Sequence, residues 1–172
     1  MAAFLKLLQD GHAPLVKSDG TSAIGPKAAV GNMFYSSSGG STAEPKLICR
    51  SCKSWALSFQ ENAKLFTRKH KKSYATFGHL SHSLTLYAAL EALTTGAEYH
   101  PLEGLGTKQQ LKMIAHREIQ ILYATPTQLR VLIKSAPLQS RLEAVRGVMI
   151  VGGWLDRETK QCVQELCPNA EI

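Results

Sequence analysis

Met33-Phe34-Tyr35-Ser36-Ser37-Ser38-Gly39-Gly40-Ser41-Thr42-Ala43-Glu44-Pro45-Lys46-Leu47-Ile48-Cys49 is the stretch around which the chain is organised. An apolar run enters a loop of hydroxyls and glycines, the loop ends on a lysine, and a second apolar run follows. That is the layout of a phosphate cradle. Glycines let the backbone approach an anion, and successive N–H and hydroxyl groups then point at its oxygens. Lys46 adds a compact positive charge with three donors. The loop is no Walker A motif, because Pro45 precedes the lysine and no Gly-Lys-Ser/Thr closes it. Ser/Gly compositions often form flexible linkers, but linkers are seldom flanked this closely by strand-like runs.

From the loop outward, strand and helix signals alternate. Leu47 to Arg50 reads as a buried strand. Ser51 is placed to cap a helix whose inner face is Trp55, Phe59, Ala63 and Phe66. Tyr74 to Phe77 reads as a strand. Gly78 to Tyr87 leads into a helix that stops near Thr95, with Gly96 at its end. Ala97 to His100 is strand, and Thr107 is placed to cap a helix carrying Leu111, Ile114 and Ala115. Ile119 to Tyr123 is strand. Thr125-Pro126-Thr127-Gln128 has the form of a capping box with proline at the first helical position, ahead of Leu129, Leu132 and Ile133. Val148 to Val151 is the most strand-like run of all. Gly152-Gly153-Trp154 breaks it, and Asp156 starts a helix through Val163 and Leu166.

Continuously apolar strands alternating with helices predict an α/β fold: a largely parallel sheet with helices on both faces. Ligands of such sheets bind beyond the carboxyl ends of the strands. The phosphate loop, His79–His82, Thr125-Pro126 and Gly152-Gly153 each follow a strand, so all are expected at one edge. Residues 1–32 form a loop-rich N-terminal segment with a short helix near Ala2 to Leu8. Residues 33–172 are expected to be one α/β subdomain.

The family resemblance rests on these same residues. Ser38 to Lys46 resembles the phosphate-loop signature of the adenylate-forming superfamily: acyl- and aryl-CoA synthetases, luciferases and peptide-synthetase adenylation domains. Its usual form is hydroxyl-Ser-Gly-(Ser/Thr)-(Thr)-Gly-x-Pro-Lys. Gly39 stands here where Ser is common, and Ala43 where Gly is usual. Tyr123 to Leu129 is similar to the family's apolar-x-x-Pro-Thr-x-apolar segment. Val151-Gly152-Gly153-Trp154-Leu155 is similar to its Gly-Gly-Ala-x-Leu turn, with Trp154 in the place of a small residue. Leu80 to Ser83 aligns with a segment where the family often carries a histidine near the substrate carboxylate.

The resemblance implies the N-terminal subdomain of acyl-CoA synthetases. It implies ATP-dependent activation of a carboxylic acid, a fatty or other acyl acid, to acyl-AMP, then transfer to a thiol such as coenzyme A. Ser38, Gly39, Gly40, Ser41, Thr42, Ala43 and Lys46 would hold the β- and γ-phosphates. Gly152, Gly153 and Trp154 would border the adenine and acyl groups, and His82 would stand near the carboxylate. The alternative for His82 is a histidine at a helix start bonded to backbone or water. The family's Tyr-Gly-x-Thr-Glu motif, ribose Asp and catalytic Lys do not occur, and Asn169 to Ile172 resembles the strand leading into the first. The chain therefore reads as part of a larger enzyme, inactive alone, with the ligands of Mg2+ elsewhere.

Composition fits a globular protein: 172 residues, 44% hydrophobic and 19% charged. Net charge is +7, much of it from Arg68-Lys69-His70-Lys71-Lys72. A solvated helix end accounts for that run, since cations suit the dipole there. Nucleic-acid binding is the rival reading, and a family member that kept the fold but lost catalysis is another. Met1 to Asp10 lacks the basic region of a secretory signal, and no apolar run nears the roughly 20 residues that span a bilayer. A cytoplasmic protein is expected. Cys49-x-x-Cys52 sits where a strand turns into a helix, as thioredoxin-type pairs do. Half a zinc site is the other chemical reading, though Cys162 and Cys167 have the wrong spacing to complete it. The expectation is that all four are reduced thiols, some of them small core residues.

Overall fold

A computed structural model describes residues 1–26, 32–38, 46–65 and 73–172. The elements are α1 (Ala2–Gln9), β1 (Pro14–Val16), β2 (Ser22–Ile24), β3 (Met33–Ser37), β4 (Leu47–Ser51), α2 (Cys52–Leu65) and β5 (Ser73–Thr76). There follow α3 (Ser83–Thr94), β6 (Glu98–Pro101), α4 (Thr107–His116), β7 (Ile121–Ala124), α5 (Pro126–Ser135), β8 (Gly147–Ile150) and α6 (Arg157–Leu166). They fall into two compact units, one of Met1–Thr67 with His79–Tyr87, the other of Arg68–Gly78 with Ala88–Ile172. In residues 1–26, α1 is the short helix expected near Ala2 to Leu8, and a β1–β2 hairpin follows it.

The first unit holds a four-stranded sheet of order β2-β1-β3-β4. The β1–β2 and β3–β4 pairs are antiparallel, and only β1–β3 is parallel. The phosphate loop therefore sits on an antiparallel hairpin and not on the parallel sheet expected from sequence. Leu47 to Arg50 is likewise no buried strand: β4 lies at the sheet edge, and only Ile48 and Ser51 are even half-buried. Packed edge-to-face aromatics build this unit's core. Phe34 meets Trp55 with ring centroids 4.6 Å apart, and Tyr87 lies 5.0 Å from Trp55 and 4.8 Å from Phe59. Ala63 faces solvent instead of this core, and Asn62 is buried in its stead, its Nδ2 donating to Tyr87 Oη at 3.0 Å. Phe66 lies outside the described residues.

The second unit is the expected doubly covered parallel sheet, of order β6-β5-β7-β8. Side chains alternate across it with period two. Ala75, Leu122, Ala124 and Val148 share one face and pack with Leu111 and Ile114 of α4, Leu129 and Leu132 of α5, and Val163 and Leu166 of α6. Tyr74, Thr76 and Tyr123 share the other, where Tyr123 Oη donates to Glu91 of α3. Helices α4 and α5 follow crossovers running one way along the sheet and α3 a crossover running the other. Right-handed connections then require opposite faces.

Local signals hold closely. Gly96 ends α3 with φ +67°, and Thr95 N–H donates to Glu91 O at 3.0 Å. Helix α4 is capped one residue earlier than expected, at Gly106, whose N–H donates to Gln109 Oε1 at 3.2 Å. Thr107 is its first helical residue, and Ala115 is exposed.

Candidate functional site

The phosphate loop begins and ends on a closed hairpin mouth. Ser37 pairs with Leu47 at the last rung of the β3–β4 ladder. Ser38 N–H donates to Lys46 O at 2.9 Å, and Lys46 N–H donates back to Ser38 Oγ at 3.1 Å. Lys46 is exposed. Gly39, Gly40, Ser41, Thr42 and Ala43 lie outside the described residues, as does the basic run Arg68–Lys72.

The histidine segment is tied to this same strand. Ser37 makes a parallel bridge with His82. Its N–H donates to Ser81 O at 3.1 Å and its Oγ to the same carbonyl at 2.7 Å. Ser36 Oγ donates to Ser83 Oγ at 3.3 Å. His82 is exposed, its N–H donating to His79 O at 3.0 Å and its ring 6.3 Å from that of His79. His79 is the more constrained of the two. Ser81 N–H donates to its Nδ1 at 3.1 Å, and Ser81 Oγ lies 2.8 Å from the same atom. An amide can only donate, so Nδ1 accepts and Nε2 carries the ring's hydrogen. The Ser37–Ser81 tie had no sequence signal, since it joins residues 44 apart.

In the second unit the Thr125 capping box forms as its sequence predicts. Gln128 N–H donates to Thr125 Oγ1 at 3.3 Å, and Thr125 N–H donates to Gln128 Oε1 at 2.8 Å. The Gly152-Gly153 turn lies over this helix start. Val151 N–H donates to Ala124 O at 3.1 Å. Gly152 has φ +82°, in the left-handed region that glycine enters without strain. A β-carbon there would stand 3.6 Å from Thr125 Cγ2, and one on Gly153 would stand 3.5 Å from Pro126 Cγ. Trp154 is 84% exposed. Of the four segments expected at one edge, this unit brings Thr125-Pro126 and Gly152-Gly153 together. The hairpin mouth and His79–His82 come together in the other.

Beyond the turn, Asp156 caps α6, and here the structure adds a residue that the sequence did not single out. Arg130 Nη2 donates to Asp156 Oδ2 at 2.6 Å, and its Nε lies 3.3 Å from that oxygen and 3.2 Å from Thr159 Oγ1. Thr159 N–H donates to Asp156 Oδ1 at 2.7 Å and its hydroxyl to Oδ2 at 2.8 Å. The Thr159 amide, the Arg130 guanidinium and the Thr159 hydroxyl hold the Asp156 carboxyl well below the usual carboxylate range.

All four cysteines are free. Cys49 is exposed on β4, while burial raises the Cys52 thiol, the reverse of the lowered pKa that an attacking thiolate needs. Among the described residues no three His, Cys, Asp or Glu side chains gather as a metal site, and none of their helices is long and apolar enough to cross a membrane.

Known proteins resemble this chain in sequence and in fold. VraA of Staphylococcus epidermidis, whose name assigns it as a long chain fatty acid-CoA ligase, is 28% identical over 169 residues, covering 96% of this chain and 36% of its own. O-succinylbenzoate coenzyme A synthetase (MenE) of Bacillus subtilis, solved with ATP and a magnesium ion, superposes with a TM-score of 0.66 at 17% identity. That match covers 77% of this chain and 28% of the synthetase. VinN superposes with a TM-score of 0.64 at 18% identity, covering 86% and 38%. The chain thus spans about a third of the length of these relatives. Its fold is that of the N-terminal domain of adenylate-forming enzymes. The family model described as AMP-binding enzyme matches residues 11–172, and the chain belongs to that family.

Proposed function

We propose that this chain is the nucleotide-binding part of an ATP-dependent acid–thiol ligase acting on a fatty or other acyl acid. A carboxylate oxygen attacks the α-phosphorus of ATP and pyrophosphate leaves. A thiol, that of coenzyme A on this reading, then attacks the acyl carbon, and AMP leaves with the bonding electrons. The observation that carries the proposal is the hairpin mouth, where Ser38 and Lys46 are hydrogen-bonded across the loop and the lysine is exposed. Residues 38–46 are assigned to the β- and γ-phosphates, by positioning and charge neutralisation. The glycine turn, exposed at Gly152 and Gly153, is assigned to the adenine and acyl groups along with Trp154. His82 is assigned to the substrate carboxylate. The fatty acid is supported by the name of VraA, and ATP with Mg2+ by the ligands of MenE. The described residues offer no cluster for the magnesium ion, and no step is assigned to it.

The test is Lys46→Ala. A charge-assisted hydrogen bond is worth about 1.5–3 kcal/mol, so ATP should bind roughly 10- to 100-fold more weakly. AMP lacks the phosphates that Lys46 would meet, and its affinity should hold. Calorimetric titration of both nucleotides into wild type and variant, with Tm as the folding control, separates the cases. Equal losses for both nucleotides, or no loss for ATP, would refute the assignment.

A further inference from the structure

We infer that Arg130 is a positioning residue: by gripping Asp156 from α5, it sets the conformation of the Val151–Leu155 turn. The importance of that turn for a ligand rests on the function proposed above; the grip itself does not. Val151, Gly152, Gly153 and Trp154 are all exposed and Leu155 is only half-buried, so burial does little to hold the turn in shape. Two successive glycines also give it more backbone freedom than any other residues would. Its geometry must therefore come from its two ends. At the first end, Val151 N–H is bonded to Ala124 O, and the glycines stand over Thr125 and Pro126 at the start of α5. At the second end stands Asp156, which Arg130, one turn further along α5, holds through Nη2 and Nε. Both ends are thus referenced to the same helix.

Capping does not require the arginine. Asp156 Oδ1 already accepts the Thr159 amide, as an N-cap does, and that bond fixes the first turn of α6 only to itself. What Arg130 adds is a link between elements, made by a planar fork that reaches Oδ2 twice and Thr159 Oγ1 once. Lysine has one point charge and cannot reproduce all three contacts. Asparagine at position 156 keeps the cap, being among the strongest N-cap residues, and loses the charge that Arg130 grips. Asp156→Asn therefore removes the ion pair, leaves of the link only the Nε contact to Thr159 Oγ1, and spares the helix.

The experiment measures backbone 15N order parameters of the 172-residue chain as wild type, Arg130→Gln, Arg130→Lys and Asp156→Asn. In wild type, residues 152–155 should sit near the rigid value of about 0.85. In Arg130→Gln and Asp156→Asn they should fall below about 0.6, with residues 161–166 of α6 unchanged. Arg130→Lys should recover part of the loss. Unchanged values across 152–155, or an equal fall through the whole of α6, would overturn the inference. AMP titration of the wild type is a separate arm. Absent shifts at the Gly152 and Gly153 amides would sink the nucleotide assignment, while the order parameters alone decide the grip.

Discussion

Ser37→Ala tests the tie between the phosphate-loop strand and the histidine segment. Ser37 gives two hydrogen bonds to one acceptor, its N–H at 3.1 Å and its Oγ at 2.7 Å, both to Ser81 O. Alanine removes the second and leaves the first. The carbonyl keeps a donor, so the penalty for an orphaned buried acceptor, about 1–3 kcal/mol, does not arise. What remains is the net worth of one buried neutral hydrogen bond, about 0.5–1.5 kcal/mol. For a chain of this size that is a Tm loss of roughly 1–6 °C, read by calorimetry. A loss below about 1 °C would mean that the hydroxyl prefers water, and the bond adds nothing. A loss above about 6 °C would mean that the amide does not hold the carbonyl alone, so the two-donor account fails. Ser37→Val is the control for shape: it loses the same bond and crowds the site, and overpacking should raise the cost by a further 1–3 kcal/mol or so.

Gly25→Ala should be severe, because a β-carbon there would stand 2.2 Å from Tyr35 Cδ2 and 2.9 Å from Ala13 O. Urea unfolding should show a loss of about 1–3 kcal/mol, and an unchanged midpoint would contradict the packing. Cys167 is buried, which pushes its thiol up to about 12. In native protein at pH 8 a disulfide reagent should modify exposed Cys49 and spare Cys167; equal rates would refute this. Because the folded state holds that proton more tightly than the unfolded one, the contribution is whole below about pH 9. It should be lost as pH rises from there toward 12, as unfolding measured against pH would show. Trp154→Ala should leave Tm within about 1 °C, since the ring is exposed; on the function proposed above it should also shift acid selectivity toward bulkier or longer acids. An unchanged ranking of kcat/KM would remove Trp154 from the acyl site.

Signals confined to a few residues were legible in the sequence, and contacts between distant residues were not. Thr125, Pro126 and Gln128 declare their helix start because all three groups meet within one turn, and Asp156 with Thr159 does the same. The alternation of continuously apolar strand runs with helical patterns likewise pointed to the parallel sheet covered on both faces that 73–172 form. Strand direction is another matter. The run Leu47-Ile48-Cys49 is apolar whether it lies inside a sheet or at its edge, and its reversal against β3 depends on a loop that composition does not orient. Asn62 lies beside the expected Ala63 on α2, and a partner that favours its burial, the Tyr87 hydroxyl, is 25 residues away. Arg130 and Asp156 are 26 residues apart and bear no local mark of their pairing. The segments expected at one edge were placed there on strand order alone, which says nothing of the sheet to which each strand belongs.

The strand order β6-β5-β7-β8 also governs how the parallel sheet can form. Strand β5 is made first yet lies inside, and its neighbour β7 comes only after α3, β6 and α4. Ser73 and Gln120, which are joined where those two strands begin, are 47 residues apart. Closing so long a loop costs chain entropy before any ladder bond repays it. A folding chain can seat β6 on one side of β5 through α3, but the other side must wait. Until α4 has carried the chain back, a wholly buried strand of the finished protein presents an open edge to its surroundings. That interval, more than the final packing, is where a growing or refolding chain is exposed to pairing with a second copy.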